Sequence, residues 1–160
     1  TIKVKKKLFV ELDLIFILFL MIIDETDNLE YFLYKYNISK KEQKRAQVIS
    51  NFYNERKESK ILNEANLNKV LYYNGKQAVL DILNFKIIKT KKTDKKLLNL
   101  LELYSSKGTP NLPIGADLLM NRYKIPKGKK LGSTLKLIEE EWIRNNFEIS
   151  DKQIDNIVKG

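Results

Sequence analysis

Beyond residue 24, apolar residues recur every three or four positions, the spacing that gathers side chains on one face of an α-helix. Leu29, Phe32, Leu33 and Tyr36 fall at i, i+3, i+4 and i+7. Ser39-Lys-Lys-Glu42 predicts a capping box opening a helix to about Lys57, with Ala46, Ile49 and Tyr53 facing inward. Asn66 predicts the cap of a short helix that turns Leu67, Val70 and Leu71 inward and closes near Gly75. Ala78, Val79, Ile82 and Leu83 mark another helix, followed by a lysine-rich link (Lys86, Lys89, Lys91, Lys92, Lys95, Lys96). Asp94 predicts the cap of a helix carrying Leu97, Leu98, Leu101 and Tyr104. Between residues 108 and 132 lie Gly108, Pro110, Pro113, Gly115, Pro126, Gly128 and Gly132, punctuation that separates a body from a tail. A last amphipathic helix is expected from about Lys130 to Asn145, with Leu131, Leu135, Ile138 and Trp142 along one face. Ser150 or Asp151 caps a short closing helix with Ile154 and Val158. Alternation of period two is weak throughout, so the expected class is all-α: an array of short helices and a Gly/Pro-punctuated helical tail.

Residues 8–23, LFVELDLIFILFLMII, depart from this texture. A membrane helix needs about 20 apolar residues; Glu11 and Asp13 leave only Leu14 to Ile23 unbroken. Lys3, Lys5, Lys6 and Lys7 resemble the basic start of a signal peptide, but no small-residue cleavage site follows. A buried helix or strand is the first reading, a membrane segment the second, and junction or out-of-frame sequence the third. The expected organisation is an apolar segment over 1–26, a helical body over 27–112 and a tail over 113–160. The chain starts at Thr1 rather than Met, which reads as a fragment, a processed product or a trimmed chain.

Composition then removes chemistries. The 160 residues include no Cys and no His, which excludes disulfides, thiolate and imidazole metal sites, and nucleophilic triads that need an imidazole base. A metal would have to be a hard cation on carboxylates. The net charge of +10 points to phosphate contact or to the lysine drift of an AT-rich genome, and does not choose between them.

Three stretches are more specific: Pro113-Ile-Gly-Ala-Asp-Leu-Leu, Ile125-Pro-Lys-Gly-Lys-Lys-Leu-Gly-Ser-Thr-Leu and Trp142-Ile-Arg-Asn-Asn-Phe. Asp117 stands where an acceptor can cap a turn, and Gly128 precedes a helix start, where free N–H groups and the dipole favour a phosphate. Gly132 lies in the first turn, where a missing side chain admits another backbone or a packed helix. Arg122, Lys124, Lys127, Lys129 and Lys130 surround this turn, and residues 118–138 contain no acid. They are the candidate RNA-backbone contacts, together with Gly128; Gly115, Asp117, Gly132 and Trp142 are the candidate structural positions. The place of Trp142 on the apolar stripe favours core packing over base stacking.

This pattern resembles the C-terminal signature of class II CCA-adding tRNA nucleotidyltransferases, the class that includes bacterial poly(A) polymerases. Gly115, Asp117, Leu118, Ile125, Gly128, Leu131, Gly132, Leu135, Trp142 and Phe147 match it by type. Two departures stand out: the spacing from Asp117 to Gly128 is longer than usual, and the family's Gly before Ile125 is Lys124 here. The resemblance implies a body-and-tail piece that holds the acceptor and T arm of tRNA through its backbone, in the cytoplasm. It also implies that chemistry lies elsewhere. The family's catalytic head uses Mg and ATP or CTP, with a Gly-Gly-x-x-Arg loop and an Asp-x-Asp pair, and its neck carries Glu-Asp-x-x-Arg; none occurs in this chain. Asp24-Glu-Thr-Asp27 lacks that frame and reads as a charge cluster at a helix start. The expectation is therefore a tRNA-binding C-terminal fragment, inactive alone, with no cofactor of its own and with tRNA and a separately encoded head as partners. The alternative is a non-enzymatic helical interaction module, membrane-associated through residues 8–23.

Overall fold

The computed structural model describes residues 12–24, 26–54, 62–91 and 94–159, and every regular element among them is an α-helix. They divide into two compact units: the described residues within 1–61 and 74–108, and those within 62–73 and 109–160.

In the first unit the helices are α1 (Leu14–Ile22), α2 (Asn28–Lys35), α3 (Lys40–Asn54), α5 (Lys76–Lys89) and α6 (Lys95–Ser106), with α4 (Glu64–Asn74) falling between α3 and α5 in sequence. The Asp13 carboxylate caps α1 by accepting from the Phe16 amide at 2.8 Å. The apolar segment is thus, over its described part, a helix with one buried face: Phe16, Phe19, Leu20 and Ile23 join Leu29, Ala46, Ile49 and Phe85 in one core cluster, while Leu14 and Met21 are exposed. No helix among the described residues is long and apolar enough to cross a membrane. Half of the expected box forms at α3: the Glu42 amide donates to the Ser39 hydroxyl, and that hydroxyl donates to the Glu42 carboxylate. Its continuation to Lys57, the lysines before residue 8 and the first residues of the apolar run lie outside the described residues. Asp24 accepts from Thr26 and Asn28 just ahead of α2, and the Thr26 hydroxyl and amide hold its carboxyl below the usual range.

The lysine-rich link begins later than expected. Residues 86–89 continue α5, because Phe85 and Ile87 are buried and keep the helical face running past Lys86. Asp94 caps α6 as predicted, accepting from the Lys96 amide at 2.9 Å. Helix α5 packs against α1, α3 and α6 and is the spine of this unit.

The second unit comprises α4, α7 (Ala116–Tyr123), α8 (Lys129–Arg144) and α9 (Asp151–Lys159). Helix α4 starts earlier than Asn66 implied: Asn63 accepts from the Asn66 amide at 2.8 Å, and Asn66 lies inside the helix. Ser150, not Asp151, caps α9, in a reciprocal box with Gln153. Ile114, Leu119, Ile125, Leu131, Ile138 and Ile154 form the core, with α8 packed on both α7 and α9.

Candidate nucleic-acid interface

The turn singled out in the sequence links α7 to α8. Helix α7 ends at Lys124, whose backbone is left-handed (φ 56°, ψ 28°) and whose amide, like that of Ile125, returns to the Leu119 carbonyl. Ile125 is buried and pins the turn to the core. Pro126 and Lys127 then lead to Gly128 at φ 148°, ψ −165°, a region that favours glycine. Helix α8 begins immediately after it. No side chain caps this start, and the first intrahelical bond runs from the Gly132 amide to the Gly128 carbonyl at 3.2 Å. The amides of Lys129, Lys130 and Leu131 stand ahead of that bond, at the positive end of a sixteen-residue helix.

Around this start the side chains of Lys124, Lys127, Lys129 and Lys130 are all exposed. Arg122 is exposed too, but it is committed: its Nη1 donates to Asp151 Oδ1 at 2.9 Å, and this hydrogen bond raises the guanidinium pKa. The neighbouring Tyr123 hydroxyl donates to Asp155, which raises the phenol's pKa. The five predicted basic side chains thus separate into four free-ended lysines and one arginine that ties α7 to α9.

The structural positions behave differently from one another. Gly115 occupies the N-cap of α7. Asp117 does not cap it: the residue lies inside the first turn, where its charge complements the dipole without a side-chain bond to the helix amides. A Cβ at Gly132 would meet nothing within 4 Å, so helix packing is not why a glycine stands there. Trp142 is 2% exposed, edge-to-face with Tyr72 at 5.5 Å and with Phe147 at 4.9 Å. It is core, not platform. The Trp-to-Phe ending of the motif is a helix stop: the Phe147 amide donates to the Trp142 carbonyl at 2.8 Å while Asn146 and Phe147 take positive φ.

The sequence model of the family described as tRNA nucleotidyltransferase domain 2 matches residues 9–158. The chain belongs to this family. No curated protein and no solved structure gives a significant match. The family match runs from within the apolar segment to the closing helix, so it takes in both compact units.

Sequence reasoning passed over two buried polar groups. Asp81, 1% exposed on α5, is gripped by Arg45 of α3 through both Nε and Nη2, and accepts from Gln77 at 2.9 Å. Arg45 Nη2 also reaches Asp13 Oδ2 at 2.8 Å. The Asp81 hydrogen bond, opposed by burial, raises the Arg45 pKa. Burial pushes Asp13 up, but the Arg45 and Phe16 hydrogen bonds outweigh it and leave that carboxyl below its ordinary value. In the second unit, Asn68 is fully buried on α4 and donates to Asn146 Oδ1 at 2.8 Å. A polar residue inside an apolar stripe was the available signal in both cases; the partners, 36 and 78 residues away, were not.

Proposed function

We propose that this chain is the RNA-holding part of a tRNA nucleotidyltransferase, and that the turn from Arg122 to Lys130 grips the phosphate backbone of the tRNA acceptor and T arm. The observation that carries the reading is the start of α8: an uncapped helix N-terminus with four exposed lysines around it, in a member of a tRNA nucleotidyltransferase family. Free amides and a helix dipole suit an anion, and lysines supply point charges without demanding a base sequence. Duplex RNA is read largely through phosphates and 2′-hydroxyls, which matches such a surface. The open space over Gly132 leaves room for the RNA backbone to approach.

Nucleotide transfer belongs to another domain in this reading. No three His, Cys, Asp or Glu side chains among the described residues converge to hold a metal, and Asp13 and Asp81 are both engaged by one guanidinium. These residues do not fit a two-metal centre. A head carrying Mg and ATP or CTP, on this polypeptide or encoded separately, would act on the 3′ end while this part positions the tRNA in the cytoplasm.

Filter binding of labelled tRNA tests the reading. Affinity should be micromolar or tighter at low salt and fall about 100-fold between 50 and 200 mM salt, as four neutralised phosphates require. Absence of binding at low salt overturns it.

A further inference from the structure

We propose that Tyr31, Tyr34 and Tyr36, with Lys35 set between the first and the last of them, form a stacking platform for unpaired bases of an RNA. The argument begins with what the eight tyrosines of the chain do. Tyr104 is buried, and Tyr53 packs edge-to-face on Phe85. Tyr72 and Tyr73 donate to Glu139, and Tyr123 donates to Asp155. The three that remain lie within six residues at the end of α2, and they are 60%, 91% and 51% exposed. Folding leaves at least half of each of these residues in water, with a large apolar ring surface uncovered.

Their arrangement is organised. Leu29 is buried in the core of the first unit and anchors α2 there. Lys35 Nζ sits 5.4 Å from the Tyr31 ring centroid and 5.8 Å from that of Tyr36, so two aromatic faces flank one ammonium. Phe32 packs against Tyr36 with tilted rings whose centroids are 4.8 Å apart. Tyr34 neighbours Tyr31 at i, i+3. Charge selects the occupant. Lys35, Lys40, Lys41 and Lys44 are exposed from here onward, and the one acid among residues 31–44, Glu42, is bonded to Ser39. The acids nearest these rings in sequence are Asp27 and Glu30, the latter one turn before Tyr34, and the four exposed lysines outnumber them. Aromatic faces interleaved with lysines match a nucleotide strand whose bases are free to stack and whose phosphates need cations. Paired bases hide their faces, so the platform takes unpaired ones.

The choice of RNA as the polyanion rests on the function proposed above, and the test keeps the two readings apart. Binding is measured for a short labelled oligoadenylate and for a loop-free RNA duplex, using the whole chain. The double variant Y31A/Y34A should weaken oligoadenylate binding about fivefold or more, leaving duplex binding and the salt dependence unchanged. The Y31F/Y34F variant should retain wild-type affinity, because stacking needs the ring and not the hydroxyl. A triple Lys127→Gln, Lys129→Gln, Lys130→Gln variant reports on the α8 turn through the duplex probe alone. The platform is overturned if the alanine variant binds oligoadenylate like wild type, as it would were this a protein-docking surface. It is equally overturned by an equal loss on both probes, by a phenylalanine variant as weak as the alanine one, or by a wild type that ignores oligoadenylate at low salt.

Discussion

Left-handed backbone crowds a Cβ against the neighbouring carbonyl, so an L-residue at Lys124 (φ 56°) is held there at a cost that glycine avoids. Lys124→Gly should therefore stabilise the chain by about 0.5–1 kcal/mol, seen as a higher urea midpoint, while a β-branched residue at the same site lowers it. The resemblance noted in the sequence leads one to expect glycine at this position, and the dihedral gives a physical reason for that expectation. Tyr73 makes a second residue-scale case. Its hydroxyl donates to Glu139, and that bond, with burial behind it, pushes the phenol up to about 12. A raised value means the folded chain prefers the neutral phenol. The contribution is whole below about pH 10, the ordinary phenol value, and vanishes as pH rises through about 12. Urea midpoints of Tyr73→Phe should consequently fall less steeply than wild type across that window. The effect will be small, since the ring is exposed. No spacing rule connects Tyr73 to a residue in α8, so this contact was not legible beforehand.

Helices were legible where their signals are local. Ser39 and Asp94 cap the helices they predict, because a cap acts within three residues of itself. Errors arose where local signals compete: Asn63 and Asn66 are both eligible caps, and lysine-rich sequence disguised the last turn of α5 although Phe85 and Ile87 still face the core. Packing between helices was the illegible part, and the α3–α5 contact shows its weight. Asp81 is sealed in by Arg45 and Gln77, so removing its carboxylate leaves a half-buried guanidinium with Asp13 alone. Asp81→Ala should destabilise by roughly 3 kcal/mol in urea unfolding followed by circular dichroism. Replacing both partners, with Arg45→Met and Asp81→Leu together, should cost far less, because no desolvated charge remains. A double variant as unstable as the single one would show that the ion pair, rather than the avoidance of a lone charge, holds α3 to α5.

A net charge of +10 would attract RNA to any face of the molecule, so overall charge and local arrangement make different claims. If attraction is diffuse, every lysine contributes alike. If the α8 start is a built contact, three lysines there outweigh three elsewhere. Lys127, Lys129 and Lys130 can be compared with Lys95, Lys96 and Lys159, which are equally exposed and lie at the start of α6 and the end of α9. Changing either set to glutamine removes the same total charge. The α8 set should lower the slope of log affinity against log salt by about 2–3 and weaken tRNA binding at least tenfold at 100 mM salt. The control set should leave the slope within about 0.5 of wild type, since long-range attraction is already screened beyond about 10 Å at that ionic strength. The candidate contact was readable in the sequence because its lysines are contiguous along one turn. Its geometry was not, because the free amides of residues 129–131 depend on Gly128 starting a helix without a side-chain cap. That geometry yields a finer expectation. Placing a carboxylate beside the helix start without disturbing Gly128, with Lys127→Glu, should weaken tRNA binding more than any single lysine-to-glutamine change, since it adds repulsion of the phosphate to the lost positive charge.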